Sequence, residues 1–292
     1  MMQALSGDAF FIDAVCAGRF DGFVHSVFDK AVNLRCRSNG ILHALVCRRL
    51  DNGPDTLVVD VDRFAETEIE AGDAVRSSGG VLRIGDTAVV GFDEVAVWDG
   101  ALYAYPADTA RLKHNLERAE EYLSRRVGKS DGDADLFTRE TARRLERSGA
   151  SLVRCLARGD REEALAHAAD MIGLGPGLTP AGDDFLLGVC AVLHIENSPC
   201  FYLREFSRDV TALSYRFTNE ISHNIIVKAS KGKFREKIVD AVNNFQSNDE
   251  DVFFKSIYDV FSIGASSGTY VLKGIIGGLE MNVSTEEARS WH

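Results

Sequence analysis

Five glycines and two prolines fall inside sixteen residues near the middle of the chain: Gly173-Leu174-Gly175-Pro176-Gly177-Leu178-Thr179-Pro180-Ala181-Gly182-Asp183-Asp184-Phe185-Leu186-Leu187-Gly188. Proline occurs only five times in the protein, so this is a concentration. A connection between helices needs one glycine or one proline, not this density. A main chain so bare of side chains lets another molecule approach its N–H groups. Thr179 followed by Pro180 reads as a helix start, with Thr179 as N-cap and Pro180 at the first helical position. Such a helix end offers unpaired donors and a partial positive charge to an anion. Gly175, Gly177, Thr179 and Gly182 are therefore the expected binding residues. The stretch is not a P-loop, because no Lys-Ser/Thr follows. Nor is it a dinucleotide fingerprint, which needs a preceding strand and an acid about 20 residues on.

Asp183 and Asp184 occupy the first turn of that helix. Acids there complement the helix dipole, and that alone explains them without chemistry. Three functional roles stand beside that reading: a ligand to Mg²⁺, an acceptor for a substrate amide N–H, or a general base. Adjacent helical positions point about 100° apart, so the two carboxylates do not face one ligand together. A carboxylate beside a phosphate repels it unless a cation or N–H donors intervene, which favours an amide-bearing substrate or a metal. No cofactor motif is present, and Mg²⁺ on Asp183 or Asp184 is the metal these acids would take. Zinc-type ligand spacings are absent.

Two further groups accompany the loop. In Arg216-Phe217-Thr218-Asn219-Glu220-Ile221-Ser222-His223-Asn224, Thr218 and Ser222 fall at i and i+4 of a helix and share a face. This is either a hydrogen-bonded helix contact or a pocket wall. Arg216 and Lys228 are either counter-charges for an anion or surface residues. The third group, Gly264-Ala265-Ser266-Ser267-Gly268-Thr269, offers hydroxyls and main-chain donors as a second anion nest, with Ser266, Ser267 and Gly268 as binding residues. Residues 179–188 and 265–274 align with each other: small residues, then Gly182 or Gly268, then Gly188 or Gly274 six positions on. Either the two helices pack through these glycines, or both present their N-termini to one pocket.

The elements that position these groups are of two kinds. Apolar runs punctuated by turn residues recur from about Phe10 to Tyr105: 22–28, 31–36, 41–47, 56–61, 80–84, 87–92 and 95–98. That spacing predicts an antiparallel barrel or sandwich. From Asp108 on, apolar residues recur at helical spacing. Helices are predicted over Thr109–Arg126, from near Asp133 towards Leu156, then Arg161–Met171, Pro180–His194 and Tyr202–Lys228. Three more follow: Phe234–Phe245, Asp251–Ile263 and Ser267–Leu279. The expectation is an α+β protein, with a β-rich domain over residues 1–106 and a helical domain over 107–292 that carries the glycine-rich motif. Gly128–Asp133 reads as a loop within the helical part.

Composition bounds the rest. The chain has 292 residues and a net charge of -11. That surface repels nucleic acid and anionic lipid, so neither is an expected partner. The first ten residues show no secretory signal, and no stretch approaches the ~20 apolar residues of a membrane span. The six cysteines form no CxxC pair and read as buried free thiols of a cytoplasmic protein.

With its motif from Gly173 to Asp184, the chain resembles a bacterial family once known only as a domain of unknown function, the AllH-type subunits of oxamate carbamoyltransferase from allantoin (purine) degradation. The segments Thr218–Ser222 and Ser266–Gly268 are similar to the family's weaker motifs. The resemblance covers about residues 170–280, and the β region only in general layout. It implies carbamoyl transfer between carbamoyl phosphate and oxamate, carried out with partner subunits. Some relatives have also been labelled carboxylases. Two positions depart from the family pattern: Ala181 stands where a Ser is usual, and Thr269 or Tyr270 stands where an acid is frequent. The resemblance therefore leaves three roles open: a catalytic subunit using Asp183 and Asp184 on a small anionic substrate, a non-catalytic scaffold or ligand-sensing subunit, or a stand-alone carboxylase.

Overall fold

A computed structural model describes residues 1–127 and 136–290. The predicted loop Gly128–Asp133 lies outside the described residues. The chain divides into two compact units: Met1–Gly100 with Lys233–Glu236, and Ala101–Gly232 with the residues from Lys237 on.

The first unit is built from β1 (Met2–Asp8), α1 (Ala9–Cys16), β2 (Asp21–Val27), β3 (Ala31–Cys36), β4 (Leu42–Cys47), β5 (Thr56–Val59), β6 (Ala74–Ser78), β7 (Val81–Ile84), β8 (Ala88–Gly91) and β9 (Ala96–Trp98). The strands run in the order β5-β4-β3-β2-β6-β7-β8-β1, and β1 pairs back onto β5 to close an eight-stranded barrel. The expected barrel is there, but its sense is mixed rather than antiparallel. β4 runs parallel to β5, and β1 runs parallel to β8 and then to β9 along its length. A bulge between Ala4 and Ser6 shifts the register in β1. Inside pointing residues such as Val32, Leu34, Leu45, Leu57 and Val75 are fully buried. The short helix α1 adds Phe11 and Val15 to this core, and Asp8 caps it by accepting from the Phe10 amide at 2.9 Å and the Phe11 amide at 3.2 Å. A return segment completes the unit: Arg235 pairs with the buried Asp51, and Glu236 accepts from the Asn52 amide at 3.0 Å.

The second unit holds α2 (Ala110–Val127), α3 (Leu136–Ala157), α4 (Arg161–Met171), α5 (Ala181–Leu193), α6 (Phe206–Phe217), α7 (Glu220–Ala229), α8 (Glu236–Asn244, from Lys237 on), α9 (Glu250–Phe261) and α10 (Ser267–Ser290). Every residue of α5 is buried, the acids Asp183 and Asp184 of its first turn included, and beyond them the helix is apolar all round. The predicted long helix Tyr202–Lys228 is instead a 3₁₀ turn, α6 and α7. The chain leaves the helix at Thr218, whose φ and ψ are -124° and 176°, and restarts where the Asn219 side chain accepts from the Ser222 amide. Polar residues that cap are poor helix interiors, and here they act as caps. Five cysteines are buried as expected, but Cys16 is exposed.

Glu280 on α10 shares a hydrogen bond with Glu120 on α2. Desolvation first, and that shared proton second, push the Glu280 pKa from 4.5 up to about 8. Between those values the folded chain holds a proton that the unfolded chain releases, so stability falls as pH rises through this window. Glu280→Gln is expected to melt at a higher temperature than the parent at pH 8 and to lose most of the pH slope. Equal slopes in thermal melts from pH 5 to 8 would refute this.

Candidate functional site around the glycine-rich loop

The loop between α4 and α5 is fastened at its base and open at its tip. Gly173 has φ +75°, and a Cβ there would lie closer than 3.0 Å to the Phe217 carbonyl oxygen, so position and conformation both demand glycine. Leu174 N–H donates to the Met171 carbonyl at 2.9 Å, and Gly182 N–H donates to the Leu174 carbonyl at 3.0 Å. Gly175, with φ +115°, lies over the Ala181 amide at the start of α5. The chain thus occupies one amide of its own helix end, that of Gly182. Pro180 occupies the N-cap, not the first helical turn, and Thr179 spends its hydroxyl elsewhere. Pro176, Gly177 and Leu178 are exposed. Among the described residues, the amides of Gly177, Leu178 and Thr179 make no hydrogen bond. The open donors thus include those of the tip, whereas the Gly182 amide, expected to bind ligand, is taken.

Asp183 is the clasp of this arrangement. It is only 2% exposed and accepts three hydrogen bonds from three other segments. Its Oδ1 receives the Gly173 amide at 2.8 Å; its Oδ2 receives the Ser222 hydroxyl at 2.6 Å and the Thr218 hydroxyl. Thr218 and Ser222 therefore do converge, though not as i and i+4 of one helix: one lies at the break and the other in α7. Asn219 adds a strap, donating from Nδ2 to the Leu178 carbonyl at 2.9 Å. In the sequence Asn219 pairs with His223 at i and i+4 of the polar group, and an Asn three residues before Ser222 is also a legible cap signal. Asp184 is buried, 4% exposed, and its amide donates to the Pro180 carbonyl at 3.1 Å. His223 is likewise held, with Nδ1 2.8 Å from the Ser214 Oγ, and burial lowers its pKa. Arg216 is exposed, and Lys228 is half-buried.

The third motif meets the first. Thr179 Oγ1 lies 2.9 Å from Ser267 Oγ, joining the starts of α5 and α10. From there the two helices run parallel and touch through glycine: a Cβ on Gly188 would collide with the Val271 carbonyl, and one on Gly274 would collide with the Phe185 carbonyl. The lead-in loops match as well. Ile263 N–H donates to the Val260 carbonyl at 2.9 Å, and Gly268 N–H to the Ile263 carbonyl at 2.9 Å, as Leu174 and Gly182 do on the other side. Gly268 packs against the Val260 carbonyl as Gly182 packs against that of Met171. The segment α4-loop-α5 is thus repeated as α9-loop-α10. Gly182 and Gly268 serve close packing, while Ser266 is exposed and Ser267 half-buried at the junction. Breaking that junction is testable. Thr179→Val is expected to cost no more than about 1 kcal/mol in urea unfolding, the worth of one partly exposed hydrogen bond.

Comparison with known families matches both units. The family described as "Oxamate carbamoyltransferase subunit AllH" matches residues 171–279, and the "AllH family N-terminal domain" matches residues 3–97. No solved structure matches the chain. No helix among the described residues is long and apolar enough to cross a membrane.

Proposed function

We propose that this chain, which belongs to the AllH family, is the subunit of a carbamoyltransferase assembly that seats a small anionic substrate at the junction of its two glycine loops. The observation that supports the reading is the Thr179–Ser267 hydrogen bond, which ties the loop with open amides at Gly177, Leu178 and Thr179 to the second glycine loop. Carbamoyl phosphate and oxamate both pair an anionic end with an amide nitrogen. Main-chain donors held in place by a folded loop suit the anionic end, and stabilise charge without reorganising. Asp183 is on this reading a positioning residue, since its oxygens are engaged by the loop base and α7. Asp184, the second acid of the motif, is on this reading the candidate for an acceptor of substrate N–H or for Mg²⁺.

Calorimetry on the purified chain with carbamoyl phosphate and with oxamate tests the seat. Binding is expected, and Ser267→Ala should weaken it about tenfold, equivalent to one hydrogen bond of ~1.4 kcal/mol, while lowering stability no more than Thr179→Val does. Heat-silent titrations of both compounds, with and without Mg²⁺, would overturn the seat.

One observation favours a second reading, that of a scaffold. Leu178, Tyr215 and Phe217 are 52%, 78% and 55% exposed. Apolar side chains left in water at a loop tip and the end of α6 suit a contact with another subunit. Under that reading Leu178→Asp abolishes assembly with partner subunits and leaves the isolated chain's melting temperature unaltered.

A further inference from the structure

Away from the glycine loops, α3 and α4 bring together a thiol, an imidazole and a carboxylate. Cys155 lies in the last turn of α3 and is buried; Glu163 and His167 are i and i+4 on α4, so they share a face. The turn between the helices sets their register. Asp160 N–H donates to the Cys155 carbonyl at 2.9 Å, and the Asp160 carboxylate caps α4 on the Glu163 amide at 3.1 Å. The ligand atoms of Cys155, Glu163 and His167 all lie within 4.8 Å of one another, and this is the one such trio among the described residues.

We propose that Cys155, Glu163 and His167 form a binding site for a divalent ion of the zinc type. The donor set decides the class of ion. A thiolate and an imidazole select zinc-like metals, and exclude Mg²⁺ and Ca²⁺, which take oxygen. Bond lengths of about 2.0–2.3 Å place the ligand atoms of a tetrahedral zinc roughly 3.2–3.8 Å apart, within reach of small rotamer changes in the exposed Glu163 and half-buried His167. Three protein ligands leave the fourth position to water. On binding, the Cys155 Sγ–H bond breaks, its proton passes to solvent, and the sulfur's electron pair goes to the metal. Spacing along the chain conceals this group, because Cys155 stands on a different helix and no CxxC or HxxxH accompanies it.

Chelator-treated full-length chain, in a Cys16→Ser background to remove the exposed thiol, is titrated with Co²⁺. One equivalent is expected to bind with a thiolate-to-cobalt charge-transfer band and the intense visible bands of four-coordination, and Zn²⁺ should bleach both. Cys155→Ser should abolish the charge-transfer band. His167→Gln, a change at a half-buried position that spares the core, should weaken Co²⁺ binding about 100-fold or more while circular dichroism stays that of the parent. No band at stoichiometric Co²⁺ overturns the site, as does a band that survives Cys155→Ser or an affinity unmoved by His167→Gln.

Discussion

Asp183→Ala is expected to destabilise the chain by about 3–5 kcal/mol, the usual cost of stripping one partner from a buried, charge-assisted network. Against a total stability of roughly 5–15 kcal/mol this is a large share. The cause is local. The Gly173 amide and the hydroxyls of Thr218 and Ser222 would all lose their acceptor, inside a site where Asp183 is 2% exposed. Asp183→Asn keeps the shape but turns half the acceptor into a donor, and should cost nearly as much. Thr218→Val and Ser222→Ala each remove one donor and should cost about 1–2 kcal/mol, with the two effects coupled because both end on Oδ2. Urea unfolding measures all four. The comparison that matters is with activity of the assembled enzyme. If Asp183→Asn unfolds at the parental urea concentration yet abolishes turnover, the carboxylate is a chemical participant and the clasp reading fails.

Gly188→Ala and Gly274→Ala are expected to be as damaging, by a different route. A Cβ on Gly188 would overlap the Val271 carbonyl and lie 2.8 Å from the Ile275 nitrogen; a Cβ on Gly274 would overlap the Phe185 carbonyl and lie 3.0 Å from the Val189 nitrogen. Backbone atoms of a buried helix cannot rotate aside, so the helices must part. Overpacking typically costs about 1–3 kcal/mol, and a clash with main chain on both sides belongs at or above the top of that range. Gly277→Ala supplies the control: its Cβ would meet only the Val153 Cγ2 at 3.2 Å, a side chain that can yield. Thermal melts of the three variants check the order. Should Gly188→Ala and Gly277→Ala melt together, the close crossing of α5 and α10 is wrong.

How much of this was readable in advance depended on whether the signal was local. The pattern over 161–171 predicts α4 with the bounds it has, because Asp160 caps it and Glu162 and Glu163 fill its first turn. β3 alternates half-buried and buried from Ala31 to Cys36, the two-residue period that marks a strand. β1 and β6 escaped: Met2–Asp8 and Ala74–Ser78 carry too few strongly apolar residues to stand out, and Ser77 is buried by its neighbours and not by its chemistry. α1 escaped because an apolar run of eight residues reads as readily as strand. At the site, the pairing of Gly182 and Gly188 with Gly268 and Gly274 is visible by aligning the chain with itself. The clasp on Asp183 is not, since it needs residues 173, 218 and 222 to be neighbours in space. The same limit applies to Cys155, Glu163 and His167.

The contact in which Gly188 faces the carbonyl of Val271 while Gly274 faces that of Phe185 is reciprocal: exchanging the partners leaves it unchanged. It has the form of a self-complementary dimer interface contained within a single polypeptide. Neither rod can slide past the other without breaking both seatings at once, so the pair is locked in register. Any movement at this junction then falls to the exposed stretch Pro176–Leu178, over a base that does not travel.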